Sequence, residues 1–159
     1  MQEALTAVIA VAATLSGSLM NHVLQQRASV RAAKVAEDDW LRKEQLSACT
    51  SFAETLADFR RAQYDRWHSQ NRSQAIREPA EAQDLSYQHR AQAWQGYYRV
   101  KLVCAEPEFV ELAGAAVTAT IRIIGADDEA GYKERRVQAV EALDRFVEAA
   151  GRMIRTPGA

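Results

Sequence analysis

Between Glu3 and Arg27 the chain carries no formally charged residue. That run, Ala4 to Gln26, reads ALTAVIAVAATLSGSLMNHVLQQ and limits what the N-terminal part can become. A helix exposed to water on one side normally carries charged groups there, and this one carries none between Glu3 and Arg27. As a helix it extends ~34 Å at ~1.5 Å per residue, against a bilayer hydrocarbon core of about 30 Å. Its length therefore suffices for a membrane span, and the expectation is a transmembrane helix.

The run has two faces. Leu5, Val8, Ile9, Val11, Leu15, Leu19, Met20, Val23 and Leu24 supply bulk, while Thr6, Ala10, Ala13, Thr14, Gly17 and Asn21 recur at steps of three and four. Such steps put the small residues along one side of a helix. Ala13 and Gly17 stand four apart, the spacing that lets two helices approach closely in lipid. Ala10, Ala13, Thr14, Gly17 and Asn21 are thus the expected helix–helix packing face, and a homo-oligomer is the expected state.

Three other readings compete. A secretory signal would carry Lys or Arg ahead of the run, where this chain has Glu3, and would end in a small-residue cleavage site that is missing. A soluble assembly helix fits the steps Leu5, Val8, Ala12, Leu15 and Leu19, which follow a heptad seam; the alternative is then a cytoplasmic, soluble homo-oligomer that buries this helix. A peripheral amphipathic helix would need Lys or Arg within its polar face. After the run come Arg27, Arg31, Lys34, Arg42 and Lys43, with no base before it. The positive-inside rule then sets a single-pass topology, N-terminus outside and the remainder in the cytoplasm.

The rest of the chain reads as helix. Gly and Pro number only seven and three in 159 residues, and Ala, Glu, Gln, Arg and Leu abound. No Gly or Pro falls between Gly17 and Asn71, so residues 27–45 are expected to form a charged helical stalk that the first helix can continue into. From Leu46 an apolar stripe begins at Cys49, Phe52, Ala53, Leu56 and Phe59, and Gln63 and Trp67 extend it. Pro79 and Pro107 each suit the first turn of a helix, preceded and followed by acids that complement its dipole. One stripe of Leu85, His89, Ala93, Val100 and Cys104 follows Pro79, with His89 expected as a bonded core residue. Another of Val110, Ala113, Val117, Ile121 and Ile124 follows Pro107. Gly125 to Gly131 is the clearest turn, with Asp127, Asp128 and Glu129 placed to cap a last helix. That helix is expected from about Tyr132 to Ile154, facing its core through Val140, Leu143, Val147, Ala150 and Ile154.

The expected organisation is therefore all-α: an anchor or assembly helix at 1–26, a stalk at 27–45, an antiparallel four-helix bundle or pair of helical hairpins at 46–154, and a frayed tail at 155–159.

Chemistry-bearing motifs are scarce. His22, His68, His89, Cys49 and Cys104 lack metal-ligand spacing, and no nucleotide-loop, dinucleotide or hydrolase pattern occurs. No catalytic residue, cofactor or metal is expected, and the chain reads as a non-enzymatic scaffold or interaction platform. Cys49 and Cys104 read as small core residues, able to bridge if their helices are neighbours. One concentration of side chains stands out. Arg60, Arg61, Tyr64, Trp67, Arg90, Trp94 and Tyr98 are placed to meet if the helices either side of residues 70–78 form a hairpin. Arg beside Tyr and Trp is the chemistry of phosphate, nucleobase or acidic-peptide recognition. It gives a second functional alternative, a ligand- or nucleic-acid-binding module. The bland counterpart is that the aromatics pack the hairpin while the arginines lie around them. The net charge of −1 gives no bulk attraction for nucleic acid. A protein partner on the bundle is the better expectation, and the small-molecule ligand, if one binds, is not named by any motif.

Overall fold

The computed structural model describes the backbone of residues 2–71 and 77–155 and the side chains of residues 25–71, 77–153 and 155. The fold is all-α. Helix α1 spans Gln2–Asn71, α2 Pro79–Val103, α3 Pro107–Arg122 and α4 Glu129–Arg155, with a 3₁₀ turn at Ile123–Gly125 and no strand among the described residues. The length of α1 follows from the long stretch without Gly or Pro. The expected packing face at Ala10, Ala13, Thr14, Gly17 and Asn21 lies outside the described side chains. Among the described residues no helix is long and apolar enough to cross a membrane, and the side chains of residues 4–24, most of the charge-free run, are not among them.

The chain divides into two compact units, Met1–Leu41 and Arg42–Ala159. In the first, every described side chain from Gln25 to Leu41 is exposed, including the large apolar Val30, Val35 and Trp40.

In the second unit, the spacing of large apolar residues decides which face each helix buries. Phe52, Leu56 and Phe59 of α1 are at most 1% exposed. They share one core with Ala93 and Val100 of α2, Phe109, Ala113 and Val117 of α3, and Ala142, Phe146 and Ala150 of α4. The Phe146 ring lies 4.8 Å from Phe52 and 4.9 Å from Phe109, so one aromatic side chain joins three helices. A fully buried Phe side chain contributes roughly 1.5–3 kcal/mol by removing apolar surface from water. The contacts also set direction. Gln45 Nε2 donates to the Val103 carbonyl at 3.0 Å near one end of α2, and Ser86 Oγ donates to Gln63 Oε1 at 2.8 Å nearer the other. As α1 ascends in number, its partners on α2 descend.

Three expectations are corrected by the structure. The buried stripe of α4 is Ala139, Ala142, Phe146 and Ala150, rotated from the expected one; Val147 is 47% exposed. The aromatic ring of Phe146 outweighs the aliphatic row Val140, Leu143 and Val147, because it fills the gap between Phe52 and Phe109. The helix also begins earlier, at Glu129, since Asp128 Oδ1 accepts the Gly131 N–H at 2.7 Å and so caps a first turn that contains the glycine. His89 is not a core residue: it is half-buried on α2, with Nδ1 3.1 Å from Gln92 Oε1.

Candidate functional site

The chain leaves α3 by a tight corner, and that corner organises the side chains around it. The last carbonyls of a helix lack intrahelical donors. At this corner three side chains supply donors, two to the end of α3 and one to the residue after the 3₁₀ turn. Gln63 Nε2 lies 3.3 Å from both the Thr120 and Ile121 carbonyls, Trp67 Nε1 donates to the Ala126 carbonyl at 3.1 Å, and Arg135 Nη1 donates to the Arg122 carbonyl at 3.0 Å. Two of the three donors come from α1, so α1 is locked against the corner.

That lock opens a cleft of about 470 Å³ beside the corner. Asp58, Arg60, Arg61, Tyr64 and Asp65 of α1 form one wall, and Tyr132 and Arg136 of α4 the other, with Ile123 from the turn between them. Arg136 lies 6.0 Å over the Tyr64 ring. Behind the wall is an aromatic stack. Trp67 is buried and lies 4.4 Å from Tyr132 in stacked geometry, while His68 packs 4.2 Å from Tyr64.

The structure therefore brings Arg60, Arg61 and Tyr64 together at the cleft and sets Trp67 beneath it as a buried support. It places Arg90, Trp94 and Tyr98 elsewhere, on α2. Trp94 stacks 5.9 Å from Tyr98 and meets Tyr97 edge-on at 5.3 Å, a cluster that packs toward α3 where Tyr97 abuts Gly114. Between α1 and α2, Arg66 lies 5.1 Å over the Tyr87 ring. The Gln83 amide, which hydrogen-bonds the Tyr87 hydroxyl, and then the Arg66 charge hold that phenol below its ordinary range. Sequence reasoning missed Tyr132 and Arg136. The turn at residues 125–131 announces α4, but nothing in its pattern says which face meets α1.

Cys49 and Cys104 are both free and buried. They meet because Gln45, one turn before Cys49, is held to the carbonyl of Val103, the residue before Cys104. Hydrogen bonding with Cys104, together with burial, pushes the Cys49 thiol up, while Cys49 beside it holds the Cys104 thiol below the usual range. Among the described residues no three His, Cys, Asp or Glu side chains gather as a metal ion would require.

A model of the KilB plasmid transfer protein family matches residues 46–154. The chain belongs to that family. The matched stretch lies within the second unit and includes the core, the corner and both walls of the cleft. This KilB-family segment is thus the part with a packed interior. Comparison with curated proteins and with solved structures returned no match.

Proposed function

We propose that this chain is a non-enzymatic, membrane-anchored helical protein that serves plasmid transfer by self-associating and presenting its second unit as a platform for protein partners. The family match over residues 46–154 carries the role in transfer. The charge-free run 4–26 supports the anchor, and the bases that follow it support a cytoplasmic second unit. That unit reads as an antiparallel four-helix bundle. The opposed pairing of α1 and α2 and the tight α3–α4 corner both favour it. Its interior polar groups support a structural role: Gln63, Ser86 and Trp67 hydrogen-bond to one another or to backbone carbonyls. Residues 27–45 serve as the stalk.

The test is complementation in cells that carry a transfer-competent plasmid dependent on this chain. The full-length protein restores transfer from the membrane fraction. A variant lacking residues 4–26 leaves that fraction and loses transfer. Full transfer by the truncated protein would remove the anchor from the account and favour a soluble oligomer. Unimpaired transfer in the absence of the chain would remove the role itself.

A further inference from the structure

The scaffold reading makes no use of the α1–α4 cleft. Its volume of about 470 Å³ falls among small-molecule sites, which occupy roughly 300–1,000 Å³. Arg60, Arg61 and Arg136 line it, and among the described residues none of the three forms an ion pair with a carboxylate. This contrasts with Arg77 and Arg99, which lie 2.8 Å and 2.7 Å from Glu81 and Glu44. Guanidinium groups gathered at a concave surface without carboxylate partners present fork-shaped donors matched to phosphate oxygens. Tyr64 adds a planar surface on which a flat ring can stack. Asp58 adds an acceptor for hydroxyl or amino hydrogens, and Asp65, 3.8 Å from Arg77 Nε, adds a further carboxylate.

We propose that this cleft binds a single phosphorylated nucleoside, with Arg61 and Arg136 on the phosphate and the Tyr64 wall against the base. The donor set matches that ligand part by part: an anion, a planar ring and hydroxyls. The same lining disfavours a polyanionic strand. Asp58 and Asp65 stand in the cleft itself, and Glu54 lies exposed one turn before Asp58, so a second or third phosphate along a strand would meet like charge. The proposal does not depend on anchoring or on plasmid transfer.

The full-length protein, in detergent, is titrated calorimetrically with adenosine and guanosine monophosphates, with the nucleosides alone, with inorganic phosphate, and with a short single-stranded oligothymidine. A nucleoside monophosphate binds, and added salt weakens it. Arg61→Ala and Arg136→Ala each weaken it about tenfold or more, as loss of a charge-assisted hydrogen bond requires. Arg61→Lys, which keeps charge but not the fork, falls between. Arg145→Ala, an exposed α4 change outside the cleft, leaves binding unchanged, and unchanged circular-dichroism melts show that the variants fold. The proposal is overturned by no nucleotide binding at about 1 mM, the weak end of specific affinity. It is equally overturned by binding indifferent to both arginine variants, by phosphate binding as tightly as the nucleotide, or by the oligonucleotide binding far more tightly than either.

Discussion

At Gly96 the helices α1 and α2 come within reach of each other's backbones. A Cβ there would lie 3.2 Å from the Phe52 Cα and 3.1 Å from Thr55 Oγ1. Backbone cannot rotate away as a side-chain tip can. Gly96→Ala should therefore destabilise the protein by about 1–3 kcal/mol, the usual cost of overpacking, even though alanine favours helix. Gly114 is the internal control, since its Cβ would meet the Tyr97 ring at 3.5 Å or more. Gly114→Ala should hold or raise stability by up to about 1 kcal/mol from helix propensity. Paired chemical-denaturation curves separate the two, and equal effects would contradict the close approach. Gln63 is the other residue on which much depends. Gln63→Ala leaves the buried Ser86 hydroxyl and the Ile121 carbonyl without this partner, at about 1–3 kcal/mol per buried group; a loss under half a kcal/mol would contradict the network. Part of this was legible in sequence. The stripe Cys49, Phe52, Leu56, Phe59 is unambiguous because aromatics mark it. Gln63 sits in register with that stripe, but only structure reveals the carbonyls it faces.

Among the elements, helix ends carry the specificity. Pro79 and Pro107 start α2 and α3 as their fixed backbone angle and acidic neighbours dictate. Asp128 starts α4, and Asp128→Ala should lower stability by about 1 kcal/mol, typical for loss of an N-cap, read as a lower unfolding midpoint in urea. The face of α4 was not legible, for a physical reason. Val140, Leu143 and Val147 compose as good a stripe by spacing as Ala139, Ala142 and Phe146. Only the gap left by Phe52 and Phe109 decides between them. Half of the cleft was unreadable for the same cause, because rotating α4 is what brings Arg136 and Tyr132 opposite Arg61. Phe146→Ala, which removes the ring joining three helices, should cost about 3–5 kcal/mol. The misassigned neighbour Val147→Ala should cost well under 1 kcal/mol, being half exposed. The reverse order in thermal unfolding would contradict the observed register.

On the scale of the whole molecule, the proposed anchored assembly joins an apolar N-terminal run to a packed second unit. The charge-free run at 4–26 is the sequence basis of the proposed anchor, since burying apolar surface is the main favourable term such a run offers. Residues 46–154 match the KilB family and enclose their own core. If the small face at Ala10, Ala13 and Gly17 joins copies of the chain, Gly17→Leu should sharply reduce cross-linked oligomers in membranes while leaving the unfolding of the second unit untouched; undiminished cross-linking would contradict that face. The anchor itself is tested most directly by an alkaline wash of membranes from cells making the full-length chain. The account predicts that the protein stays in the pellet and leaves it only with detergent. Release by alkali as a soluble species, without detergent, would contradict it.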